Sequence, residues 1–132
     1  MNKEFITYEQ ALELKELGFD EDVIAYWEKN SLLKPIPMSD FINSFPVNDY
    51  PKADWIAAPL YQQAFRWFRE KYSINSWIIN AEDNNNAFKP FFRGNNIDEH
   101  LVDFYNTYEE AEQLLLKTLI KILKEQILNQ NK

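Results

Sequence analysis

The chain contains no cysteine, so it has neither disulfides nor thiolate metal sites. Its only glycines are Gly18 and Gly94, too few for a glycine-rich loop that cradles phosphate. A single histidine, His100, limits imidazole chemistry to one place. No apolar run approaches the ~20 residues of a membrane-spanning helix. The N-terminus, Met1 to Gln10, carries charges where a signal peptide would be apolar. No serine sits in a nucleophile-elbow motif. These absences lead us to expect a soluble, cytoplasmic, non-enzymatic protein with no cofactor, no metal and no membrane partner.

Rings are abundant. Ten Phe, seven Tyr and four Trp make up 16% of 132 residues, and each ring buries roughly 150–250 Å². A core built largely from rings follows, and the length suits one domain over residues 1–132. The net charge of −7 is unevenly spread. Residues 1–57 and 94–132 are acidic. Residues 58–93 are net basic, with Arg66, Arg69, Lys71, Lys89 and Arg93 against Glu70, Glu82 and Asp83. An acidic chain is repelled by duplex DNA, although a local anion site remains compatible with it.

Thr7-Tyr8-Glu9-Gln10 is a capping box, in which each end satisfies an orphan N–H of the other. Ala11, Leu14 and Leu17 continue a helix, Gly18 supplies the left-handed stop, and Phe19 folds back on the last turn. Thr107-Tyr108-Glu109-Glu110 opens the final helix, whose stripe is Ala111, Leu115, Leu119, Ile122 and Leu123. Val23 to Trp27 fits either a short helix or a strand pairing with Leu32 to Ile36, and the strand is preferred. Five prolines between Lys34 and Pro59 exclude a continuous helix and suggest an arm packed through Phe41, Phe45, Tyr50 and Trp55. Ser73 to Ala81 is β-branched and aromatic enough for a strand. A turn over Glu82 to Asn86 leads to a returning strand, Ala87 to Arg93, and Pro90 points to a sheet edge. Gly94-Asn95-Asn96 closes this hairpin.

On a helix over residues 60–72, Leu60, Tyr61, Ala64, Phe65, Trp67, Phe68 and Tyr72 fall in one arc of roughly 160°, as a core-facing stripe does. Gln62, Gln63, Arg66, Arg69 and Glu70 occupy the rest. The rings are therefore core, and the helix cannot stack bases beside its own cations. Arg66 and Arg69, three residues apart, could grip one anion, and Arg93 completes a candidate set for an anion or a partner. His100 with Asp98, Glu99 and Asp103 reads as a solvated acidic turn rather than a metal or acid–base site.

Two resemblances carry further expectations. Leu14 to Pro35, with Gly18, Ile24, Tyr26, Trp27, Glu28, Leu32, Leu33 and Pro35 in place, is similar to the helix-turn-helix of the mercury-resistance class of transcription regulators. Asp20-Glu21-Asp22 would repel phosphate where that family presents cations. Across nearly the whole chain, a second pattern resembles small, largely uncharacterised proteins from phages and integrated mobile elements of Bacteroidetes-type bacteria. It consists of Lys15 to Asp20, Ala57-Ala58-Pro59 leading to Gln63, Trp67 to Lys71, and Tyr108 to Ala111. That resemblance implies a genomic setting rather than a reaction.

The expected fold is α+β: a small, mostly antiparallel sheet packed against two main helices, with an additional N-terminal helix. The expected function is a phage- or mobile-element-associated accessory protein that binds a host or phage protein, with a homo-oligomer as a further option. The alternatives are a binder of a small anionic or nucleotide-like ligand and, third, a nucleic-acid binder.

Overall fold

A computed structural model of the chain describes residues 2–28, 32–36, 47–49, 55–81, 87–94 and 97–130. Most of the proline-rich arm, with Phe41, Phe45 and Tyr50, lies outside these residues, as do the turn 82–86 and Asn95-Asn96. The fold is α+β, and the chain divides into two compact units, Met1–Leu60 and Tyr61–Lys132. Each contains a three-stranded antiparallel sheet. The single sheet expected from sequence is thus two. The two main helices belong to the second unit and the N-terminal helix to the first.

In the first unit, helix α1 (Tyr8–Glu16) starts as its sequence dictates. The Thr7 hydroxyl accepts from the Gln10 N–H at 3.2 Å, and the Gln10 side chain accepts from the Thr7 N–H at 3.4 Å. Its end is equally well determined. Gly18 adopts φ +92, the Gly18 N–H donates to the Lys15 carbonyl, and the Phe19 N–H donates to the Leu14 carbonyl. This is the paired hydrogen-bond pattern of a left-handed stop, and it turns Phe19 into the core.

Strands β1 (Ala25–Glu28) and β2 (Leu32–Pro35) pair antiparallel, which is the strand alternative expected for these residues. The helix-turn-helix resemblance is not carried into the structure, because strand backbone occupies the place of its second helix. Strand β3 (Trp55–Ala57) flanks β1 on the other side. Tyr26 and Trp55 stack across the β1–β3 pair with centroids 3.8 Å apart. Asn48 ties the unit together: its Nδ2 donates to the Phe19 carbonyl and its Oδ1 accepts from the Ala57 N–H, both at 2.9 Å. Trp27 Nε1 donates to the Ile6 carbonyl at 3.1 Å, so one indole joins the first segment to the sheet.

The second unit begins with helix α2 (Tyr61–Tyr72), followed by strands β4 (Asn75–Ala81), β5 (Ala87–Gly94) and β6 (Ile97–Leu101) and helix α3 (Tyr108–Gln130). Tyr61, Ala64, Trp67 and Phe68 are buried on α2, and Phe68 has no exposed surface. Phe65 lies at the margin of the stripe and is only half-buried, which corrects the expectation that it is core. On α3 the buried stripe comprises Ala111, Leu115, Leu116, Leu119, Ile120 and Leu123, whereas Ile122 is half-buried. Thr107 caps this helix, its hydroxyl accepting from the Glu110 N–H at 3.1 Å.

The sheet runs in the order β4-β5-β6, so β5 is central and Pro90 is not on an edge strand. The ladder explains why proline is tolerated there. In an antiparallel strand the N–H and C=O of one residue face the same neighbour. The Pro90 carbonyl accepts from the Val102 N–H at 2.9 Å, so the missing N–H would point the same way, past Leu101 where β6 ends. The β4–β5 ladder loses nothing.

Phe68→Ala should lower stability by about 3–5 kcal/mol, the usual loss for a fully buried ring, and Phe65→Ala by clearly less. Chemical denaturation of the two variants measures the difference, and equal losses would contradict the helix register. Thr107→Ala should cost about 0.5–2 kcal/mol by removing the acceptor of a first-turn N–H, and Thr7→Ala should behave likewise. Thermal melts of each against the parent read the effect.

Candidate functional site

Arg66 and Arg69 are exposed on α2, together with Gln62 and Glu70 and opposite the buried rings. The arginines of this helix are thus separated from its buried rings, as their spacing predicts, whereas Lys71 Nζ lies 5.4 Å from the Trp67 ring centroid and 5.7 Å from that of Tyr72. Arg93, the third candidate, lies near the end of β5 and is also exposed. Its surroundings are different in kind.

The pleat of β5 sorts its side chains alternately onto two faces. Phe88 meets Tyr108 of α3 edge-on with centroids 5.9 Å apart, and Pro90 and Phe92 are buried. The even-numbered positions thus form the inner face. Lys89, Phe91 and Arg93 take the outer one. Their register partners on β4 are Ile79, Trp77 and Asn75 respectively. Trp77 and Phe91 stack nearly parallel, 9° apart with centroids separated by 5.7 Å. Phe104 joins them, its ring 5.0 Å beneath Lys89 Nζ. The Asp103 carboxylate accepts from the Phe104 N–H at 2.8 Å and fixes the backbone there.

This outer face combines apolar surface with positive charge. Ile79 is 46% and Phe104 53% exposed, which is high for residues of their size, and Lys89 and Arg93 flank the stacked pair. Sequence reasoning singled out Arg93 but missed Trp77, Ile79, Lys89, Phe91 and Phe104. The signal was present in the alternation of 75–81 against 87–93, once the two strands are placed in register.

His100 lies on β6 rather than in an acidic turn, and it is exposed and stacked on Phe92 at 5.5 Å. Asp98 and Glu99 precede it on the same strand, where successive side chains turn to opposite faces. Among the described residues no three of His, Asp and Glu gather in a way that could hold a metal ion.

Glu112 is the one buried carboxylate among the described residues. It lies in the second turn of α3, where the stripe faces the core. Burial pushes its carboxyl up to about 7, and the Glu109 charge adds to the shift. Tyr61 is raised to about 12 by burial and then by the Glu112 charge, and Tyr108 moves in the same direction for the same reasons. A carboxyl held beside Tyr61, Tyr108 and the Glu109 charge is a source of pH dependence.

The chain matches no protein-family model, no curated protein and no solved structure. No helix among the described residues is long and apolar enough to cross a membrane.

The shift at Glu112 has a definite sign. Its folded value lies above the ordinary 4.5, so the folded state holds the proton more tightly than the unfolded chain. Stability from this group is therefore complete below about pH 4.5 and declines as pH rises through about 7. Glu112→Gln should melt above the parent at pH 8, with the gap closing by pH 4.5. Melting curves across that range test it, and a pH-independent gap would show that Glu112 is not the responsible group.

Proposed function

We propose that this chain is a non-enzymatic accessory protein that works by binding another protein, and that the outer face of the β4-β5-β6 sheet is its docking surface. The observation that carries this reading is the stacked Trp77–Phe91 pair bordered by exposed Ile79 and Phe104 and flanked by Lys89 and Arg93. Tryptophan, phenylalanine and arginine are the side chains that interfaces concentrate at their centres, because large rings bury much area at little entropic cost. The cations favour a partner protein whose apolar centre is bordered by carboxylates. The resemblance of Lys15 to Asp20, Ala57 to Gln63, Trp67 to Lys71 and Tyr108 to Ala111 to phage and mobile-element proteins favours a host or phage protein as that partner.

Nucleic acid is the weaker fit. A chain of net charge −7 is repelled by phosphate at long range, and Lys89 already covers the Phe104 ring. The alternative, a small anionic or nucleotide-like ligand, is favoured by the exposed, one-turn spacing of Arg66 and Arg69, with Arg93 as a third cation.

A photo-crosslinking side chain at position 104, introduced in cells that carry the gene, tests the docking face. The expected result is one discrete adduct to an acidic protein, competed by salt and abolished by Trp77→Ala. With that partner purified, Trp77→Ala should weaken binding by roughly 30-fold, about 2 kcal/mol. Lys89→Glu with Arg93→Glu should weaken it further while leaving the fold intact. An adduct that persists in these variants would refute the surface. Native mass spectrometry that finds a nucleotide-sized anion lost on Arg66→Ala or Arg93→Ala would establish the ligand reading instead.

A further inference from the structure

Each sheet edge invites another strand, because it presents unpaired N–H and C=O groups, and proteins block edges with charge, proline, bulges or cover. Three of the four edges here are blocked. Strand β2 carries Lys34 and Pro35. Strand β3 has only three residues, all buried, and Asn48 takes the Ala57 N–H. Strand β6 presents exposed Asp98 and Glu99, and its pairing with β5 shifts register between Phe92 and Gly94. The fourth edge is different. Strand β4, Asn75-Ser76-Trp77-Ile78-Ile79-Asn80-Ala81, has seven residues with no charge, no proline and no register shift. It pairs with β5 on one side and with no other strand among the described residues.

We infer that β4 is a self-association edge, pairing antiparallel with β4 of a second copy about a two-fold axis at Ile78. This rests on the backbone of the edge and is independent of the docking face. The backbone groups of Phe88 and Pro90 face the β6 side, bonded to Tyr105 and Val102. Those of residues 87, 89, 91 and 93 therefore face β4 and engage its odd-numbered residues, their register partners. Ser76, Ile78 and Asn80 consequently direct their N–H and C=O groups outward.

These three outward residues are evenly spaced about Ile78, so the edge complements itself. Under the two-fold axis Ile78 meets Ile78 of the second copy and Ser76 meets Asn80, each pair exchanging both of its N–H···O bonds. Trp77 lies opposite Ile79 on the outer face, apolar against apolar, and the polar Ser76–Asn80 pair lies on the other. The match about Ile78 decides the occupant: a second copy sets Ile78 against Ile78, Trp77 against Ile79 and Ser76 against Asn80, and brings no charge to the edge. The product is one continuous six-stranded antiparallel sheet with two copies of the outer face side by side.

Sedimentation equilibrium of the full chain tests the association directly, with an expected mass twice the 15.8 kDa of one chain. The absence of native cysteine makes the register testable too. Ser76→Cys mixed with Asn80→Cys should form a disulfide-linked pair on mild oxidation, since directly opposed residues lie about 5.5 Å apart between Cα atoms. Ser76→Cys alone should not, because its symmetry mate is four residues away, roughly 13 Å along the strand. A monomeric mass at every concentration would overturn the inference. So would cross-linking in Ser76→Cys alone as efficient as in the mixture.

Discussion

The second unit depends on the alternation of a single central strand. Because β5 has neighbours on both sides and a helix over one face, each of its residues is constrained twice, in where its side chain points and in which neighbour its backbone engages. The even positions Phe88, Pro90 and Phe92 supply the inner face and the bonds toward β6. The odd positions Lys89, Phe91 and Arg93 supply the outer face and the bonds toward β4. The outer face proposed for docking and the edge of β4, unpaired among the described residues, are thus two results of one pleat. A one-residue slip of β5 would bury Lys89 and Arg93 and expose Phe88 and Phe92, so the inner apolar face also holds the outer one in register.

Local chemistry was the most legible part of the sequence. Thr7, Gly18 and Thr107 act within one helical turn, and their roles follow from neighbouring residues alone. The α2 stripe was legible for Tyr61, Ala64, Trp67 and Phe68, because burial of a helix follows its period. Phe65 misled at the margin of the arc, where period alone cannot say how far the packing extends. Strand β6 was missed because an exposed edge strand bearing Asp98, Glu99 and His100 shows no alternation and has a single β-branched residue, Ile97. Pro90 was misplaced because the rule confining proline to edges concerns hydrogen bonds, and at this position the missing donor faces the end of a short strand.

The candidate site was legible only in its charges. Arg93 stood out in a basic segment, but its pairing with Trp77 and Phe91 required the register between two strands. That is a long-range property. The separation of rings from arginines on α2 followed from helical spacing alone, whereas the combination of rings and cations on the sheet next to it in sequence did not. The division into two units was hidden for a related reason: the sequence shows strands, but not which strands share a sheet.

The stop of α1 at Gly18 separates two demands that glycine usually meets together. Its φ of +92 requires a left-handed backbone, yet a Cβ built there would find no atom within 4 Å. The position needs handedness, and smallness is incidental. An L-residue is strained there by torsion alone, and a D-residue is not, since the mirror-image backbone is its ordinary one. In a chemically synthesised chain, D-alanine at position 18 would hold the same turn with fewer unfolded conformations to lose. The left-handed backbone that an achiral α-carbon permits at position 18 is what turns Phe19 toward the core.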